Sequence, residues 1–384
     1  MNKITRSSIE TLSTHQSGTA ASIYLPTHRH PSPPHIQEDQ TRFKNLLRDA
    51  REKWLKTDSD TSQFVELEKR IDDQDFWHQT TEGMAIFISS DQLFIYHLPI
   101  ECDEHVCVGT SFDLTPLYAL ASYDQSYYLL NLAMHNTTLL KGDMYGLEPV
   151  AIDFPTSMED ALNIDEMFAN SNTIRGVEGG AIGNGAGAPH GMGDSSEAGR
   201  EERLQYFRII DHKIADSSLV DTKLPILVAG TDNEAGDYRN LTKLPHVIHP
   251  YIQGNHSMTA SQDLHALAWP IIQEEVIEKN VATAIEQCNE LKGVQKASHD
   301  LHDITEAAKM GRVDTLLISL IRKTNDSVSD AIKSSVPILT FAKDSDDNAL
   351  AKLAHTVFAQ GGKILGAQTE MRPSRVKVAA IYRY

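Results

Sequence analysis

The sequence is poor in positive charge and in cysteine. Thirty-five Lys and Arg stand against 53 Asp and Glu, a formal net charge of −18. That balance excludes indiscriminate adhesion to DNA or RNA through the whole surface and confines any RNA contact to a local patch. Cysteine occurs three times, as Cys102, Cys107 and Cys288. This is too few for a disulfide framework, and the spacing gives neither a CxxC pair nor a four-ligand zinc site. A reduced, cytoplasmic protein is expected. No apolar run reaches the roughly 18 residues needed to span a bilayer, and the first residues lack a signal core, so no membrane partner is expected. A GK[ST] phosphate loop is missing too. Gly183-Asn184-Gly185-Ala186-Gly187 mimics part of a dinucleotide fingerprint, but Ala188-Pro189-His190-Gly191 follows it instead of a helix, which argues against a nucleotide cofactor. His299 and His302 lie beside Asp300 and Asp303. At the start of a helix those carboxylates simply favour the dipole, so no metal is expected.

What the chain does have in excess is glycine in one place. Eight of the 18 residues from Gly176 to Gly193 are glycine, and a long charged helical pattern begins directly after them. Such backbone freedom costs entropy and is kept either in a mobile linker or in a loop that approaches another backbone closely. With 384 residues, two or three domains are expected.

The apolar pattern predicts a strand over Ser22–Pro26, a loop through the prolines Pro31–Pro34, and a helix from Gln40 to Lys56. That helix carries Arg42, Lys44, Arg48, Arg51, Lys53 and Lys56 in a strongly acidic chain, and His28, Arg29 and His30 precede it. It is either a phosphate-facing surface or a solvated charged face. Met84–Ser89 and Gln92–Leu98 read as a hairpin, and Asp113–Leu117 as a boundary. Ser126–His135, Thr137–Leu140 and Leu147–Ile152 read as an antiparallel meander. After the glycines, Ser195 or Ser196 can cap a helix whose apolar stripe is Leu204, Phe207, Ile210 and Ile214, and Leu224–Ala229 reads as a buried strand. The glycine stretch then joins sheet to helix within a domain, which favours the contact loop. Helices over Pro270–Leu291, Asp300–Met310 and Asp346–Ala359, a glycine stop at Gly361-Gly362, and strands over Thr315–Ser319, Val336–Phe341, Lys363–Ala367 and Val376–Tyr384 complete an α/β/α unit.

Gly311-Arg312-Val313-Asp314-Thr315-Leu316-Leu317-Ile318 resembles the "GAVETLLI" segment of archaeo-eukaryotic release factor 1 and Pelota, and Val378–Tyr384 (VAAIYRY) resembles their "GIAAILRY" ending. The layout is similar to the bacterial branch of that family. The resemblance implies a mixed α+β fold of three domains: 1–116 facing the decoding centre, 117–269 with the glycine loop on a mixed sheet, and 270–384 as an L7Ae-like α/β/α sandwich. It implies a loop that reaches the peptidyl transferase centre, a 70S ribosome as partner, and a translational GTPase such as elongation factor Tu as companion. The rRNA-contacting residues expected on the loop are Arg175, Gly179, Gly180, Gly183, Gly185, Gly187 and His190. On the decoding side they are His28, Arg29, His30, Arg42, Lys44 and Arg48.

The departures from the family pattern bear on activity. Its release factors hydrolyse peptidyl-tRNA with a Gly-Gly-Gln tip that positions water and stabilises developing charge. Here Gly179-Gly180 is followed by Ala181, and no glutamine occurs anywhere from Ser126 to Leu204. The stop-codon signatures "NIKS" and "YxCxxxF" are absent from the first domain. The expectation is a non-catalytic occupant of the A site of idle ribosomes. The alternatives are a Pelota-like rescue factor, a hydrolase using His190 as general base, and a binder of RNA stems off the ribosome.

Overall fold

Ala20–Pro26 (AASIYLP) is apolar or small at nearly every position, which suits a strand covered on both faces. In the computed structural model it is β1, an inner strand of the first sheet. The structure describes residues 3–15, 18–29, 31–120, 123–161, 195–320, 345–368 and 378–384. These form two compact units, one from residues 1–124 with 277–384 and one from 125–276. The fold is mixed α+β, with three sheets among the described residues.

In the first unit, β1 lies between β2 (Gly83–Ser89) and β4 (His105–Gly109), with β3 (Leu93–Leu98) outside β2, all pairs antiparallel. The β2–β3 hairpin is where the sequence places it. Ala21, Ile23 and Leu25 join Met84, Ile86 and Ile88 against Phe43, Leu47 and Trp54 of the helix Pro33–Trp54. That helix begins at Pro33, whereas the sequence reading puts Pro31–Pro34 in a loop and starts the helix at Gln40. The first-turn N–H groups of a helix have no intrahelical acceptor, so proline there sacrifices no bond and arrives with a helical φ.

His97 of β3 is buried, with Nδ1 making no hydrogen bond. Burial pushes its pKa down from the ordinary 6.5 to about 4. The native ring is therefore neutral. As pH falls below 6.5 the unfolded chain gains a proton that the native state refuses until about pH 4, so this contribution is present above pH 6.5 and lost on acidification. Wild type should lose about 3 kcal/mol more than His97→Phe between pH 7 and pH 4, measured by urea unfolding. Parallel losses in the two proteins would remove His97 as the cause.

The same unit holds a second sheet, in the order β10-β13-β11-β12. These are Ala297–Ser298, Val378–Tyr382, Val313–Leu320 and Lys363–Gln368, with β11–β12 parallel and β11–β13 antiparallel. Asp300 caps the helix Leu301–Lys309 by accepting from the His302 and Asp303 N–H groups, the role its position suggests. The helix Ser345–Ala359 stops at two glycines with different duties. Gly361 has φ +75°, and a Cβ on Gly362 would lie 2.5 Å from Val357 Cγ1 and 3.0 Å from its carbonyl oxygen. The expected strand Val336–Phe341 lies outside the described residues.

In the second unit, β5 (Tyr127–Asn131), β6 (Thr138–Gly142) and β7 (Leu147–Pro149) form the expected antiparallel meander. β8 (Ile226–Gly230) runs parallel to both β5 and β9 (Val247–Gln253), so the sheet is mixed. The helix Ser195–Ala215 buries Tyr206, Phe207, Ile210 and Ile214 on it, with Tyr206 rather than Leu204 in the core. Tyr206 can be buried because its hydroxyl donates to the Pro155 carbonyl at 3.2 Å. A helix expected to start at Pro270 starts at Ser261 instead, with Pro270 inside it. The backbone widens to a π turn over Gln273–Glu278 before resuming as Lys279–Lys292. Proline supplies no N–H to the preceding turn and crowds it, and the helix nevertheless continues through it. Among the described residues, no helix is long and apolar enough to cross a membrane.

Candidate nucleic-acid interface

The basic segment around residues 28–48 is built on one buried carboxylate. Ile36, Asp39, Phe43, Leu47, Ala50 and Trp54 are the buried positions of the helix Pro33–Trp54, so Asp39 occupies a core position on an otherwise apolar stripe. Its exposure is 0%. A buried carboxylate must be hydrogen-bonded or it costs several kcal/mol, and Asp39 takes its partners from the chain leaving β1. Oδ2 accepts the His28 N–H at 3.0 Å, and Oδ1 lies 2.9 Å from His28 Nδ1. A carboxylate only accepts, so Nδ1 carries the proton in that bond. The Thr80 hydroxyl donates to the His28 carbonyl at 2.9 Å, and the His28 ring stacks on His35 at 4.2 Å.

The predicted cations divide into two kinds. Arg29 forms a bidentate pair with Glu82, both bonds 2.7 Å. Arg42 is enclosed by Glu38, Asp39 and Glu104, with Asp39 at 3.6 Å and Glu104 at 3.4 Å. Their charge is answered within the fold. Lys44 and Arg48, one helical turn apart, are exposed, and neither forms an ion pair among the described residues. The structure thus brings His28, Arg29 and Arg42 into carboxylate networks and leaves Lys44 with Arg48 as an open basic pair. His30 lies outside the described residues. Asp39, Glu82 and Glu104 are absent from the sequence-predicted site. Glu82 and Glu104 are remote in sequence, but Asp39 is legible as a carboxylate three residues after Ile36 and four before Phe43, on the apolar stripe.

Arg175, Gly179, Gly180, Gly183, Gly185, Gly187 and His190 also lie outside the described residues. The helix Ser195–Ala215, on the C-terminal side of the glycine stretch, lies within them. Near its start, Arg200 and Arg203 both bond Asp237, with closest contacts of 3.1 and 2.6 Å. Burial works to raise the Asp237 carboxyl, but the two guanidiniums outweigh it and hold it below the usual carboxylate range. Two cations share one carboxylate, and Glu201 and Glu202 of the same helix stand beside them and offset their charge. Arg200 stays 60% exposed, so part of that charge faces solvent. In sequence these arginines are only two more charges on a charged helix, and nothing beside them marks the shared carboxylate.

Residues 126–312 match the model of bacterial archaeo-eukaryotic release factor family 3. No curated protein matches the chain. Among solved structures, the chain is similar to archaeal Pelota in a model of ribosome-bound Pelota and ABCE1, at 11% identity over 100% of this chain and 95% of that one, TM-score 0.40. It is similar to S. cerevisiae Dom34, a translation termination-like factor interacting with Hbs1, at 9% identity over 100% and 94%, TM-score 0.37. It is also similar to the archaeal translation termination factor aRF1, at 13% identity over 100% and 99%, TM-score 0.23. Likenesses at these TM-scores bear on neither activity nor partner. The family match spans the meander, the glycine stretch, the charged helix after it and the chain up to Arg312, and through these residues the chain is similar to the bacterial archaeo-eukaryotic release factor family.

Proposed function

We propose that this protein is a cytoplasmic translation factor that occupies the A site of idle 70S ribosomes and does not cleave peptidyl-tRNA. One observation carries the reading. The family-matched segment contains a glycine-rich stretch but no glutamine from Ser126 to Leu204, so it lacks the side chain that would position an attacking water. Glycines let backbone amides meet phosphates and bases where a Cβ would clash, and Arg175 and His190 flank them with charge and a stacking ring. On the decoding side, Lys44 and Arg48 supply the contact. A translational GTPase, elongation factor Tu or a relative, is the proposed companion.

The test is co-sedimentation with vacant ribosomes and with ribosomes carrying peptidyl-tRNA, with peptide release assayed in the same tubes. Binding to vacant ribosomes without release is expected. Release would restore the hydrolase, with His190→Ala as its next test, and preference for stalled, loaded ribosomes would indicate rescue. Failure to bind either would sink the ribosomal reading. Deleting 179–187 should weaken large-subunit binding at least about tenfold and leave the melting temperature within about 2 °C, because a glycine loop buries little apolar surface. Unfolding of the deletion variant would make the loop structural.

A further inference from the structure

The register of β1 on β4 places Ser22 opposite Cys107 and Tyr24 opposite His105. His105 and Cys107 are two apart on a strand, so their side chains share a face, the one turned away from Val106 and Val108 in the helix-covered core. The chain then turns and brings Asp113 back to the same face. That return is fixed at three points. Ser22 Oγ accepts the Asp113 N–H at 2.9 Å, the Tyr24 hydroxyl donates to the Asp113 carbonyl at 2.7 Å, and Thr115 donates its N–H and hydroxyl to Oδ1 at 3.1 and 2.7 Å. Oδ2 is thereby aimed at His105, with Nε2 at 3.2 Å. A ligand atom from each of His105, Cys107 and Asp113 lies within 4.8 Å of the other two, and all three residues are half-buried.

We propose that His105, Cys107 and Asp113 form a binding site for a zinc-class divalent cation, with a fourth position for water. The donor set is one imidazole, one thiolate and one carboxylate, the mixed nitrogen, sulfur and oxygen environment that zinc accepts in tetrahedral geometry. Nitrogen and oxygen ligands of a tetrahedral zinc stand about 3.4 Å apart, close to the 3.2 Å between His105 Nε2 and Asp113 Oδ2. The two anionic ligands balance the 2+ charge. Binding transfers the Cys107 thiol proton to solvent, moves the His105 ring proton from Nε2 to Nδ1 through solvent so that Nε2 can coordinate, and replaces the His105–Asp113 hydrogen bond with two metal bonds. The bonds from Ser22, Tyr24 and Thr115 act as the outer shell that holds the carboxylate in place. The ion would tie the edge strand β4 to the segment that leads out of the first sheet. The spacing 105, 107 and 113 matches no linear zinc motif, and only the return of the chain after Gly109 assembles it.

Full-length, reduced, chelator-treated protein titrated with Co²⁺ tests this. A near-ultraviolet thiolate-to-cobalt charge-transfer band should appear, saturate at about one equivalent, and vanish when Zn²⁺ displaces the cobalt. Cys107→Ser should abolish the band, and His105→Gln and Asp113→Asn should weaken zinc binding at least about tenfold, with far-UV circular dichroism confirming that each variant is folded. No band in wild type overturns the site. A band that survives Cys107→Ser originates at Cys102 or Cys288 and overturns it equally.

Discussion

Replacing Asp39 with alanine is expected to destabilise the first unit by about 3–5 kcal/mol, the range for removing one partner of a buried charged network. The carboxylate is fully buried and accepts from both the backbone and the ring of His28. Without it, two donors lose their acceptor and Arg42 loses one of its three carboxylates. A cavity on the apolar stripe adds to the cost. Asp39→Asn should cost less, because the amide oxygen can still accept one of the two His28 bonds. Urea unfolding followed by tryptophan fluorescence measures it directly, since Trp54 and Trp77 are buried in the same core. A loss below about 1 kcal/mol for the alanine variant would show that the loop after β1 is held by other contacts.

Reversing charge at Lys44 and Arg48 together, both to glutamate, is expected to weaken ribosome binding by about 10- to 100-fold at low salt and to flatten the salt dependence by about two units of slope. Exposed cations without internal partners release counterions on meeting phosphate, and each contributes roughly one unit. Arg29→Gln is the matched control. Its guanidinium already holds Glu82 bidentately, so it should cost stability and leave the salt slope unchanged. Equilibrium binding to purified ribosomes across a series of salt concentrations distinguishes these outcomes. An unchanged slope in the double variant would remove this helix from the interface.

The two errors of helix placement share a cause. Local pattern makes boundaries of both Pro33 and Pro270, since proline is the strongest local punctuation in a chain. Pro33 opens a helix earlier than expected because its missing N–H has no role in a first turn. Pro270 lies within a helix whose covering face includes Leu264, Ala268, Trp269 and Ile272, all buried. Burial of those side chains outweighs the lost hydrogen bond, a judgement that local sequence does not contain. The meander, by contrast, is legible, because Leu129, Leu130, Leu139 and Leu140 stand in short apolar runs separated by turn residues. The cations of the candidate interface are legible as residues and not as free charges. Glu82 and Glu104 reach Arg29 and Arg42 from elsewhere in the chain, and no pattern near residue 29 or 42 announces them.

By itself the sequence determined the strand-and-helix order of most described elements, the confinement of positive charge to short segments, and the glycine stretch without glutamine. These are properties of composition and local period, set by side-chain type and by the backbone freedom of each residue. The tertiary structure decided which charges are neutralised, which carboxylate is buried, and that His105, Cys107 and Asp113 meet on one face of β4. Such facts depend on strand register and on where the chain returns, and both follow from how whole faces bury together rather than from any residue's neighbours in sequence.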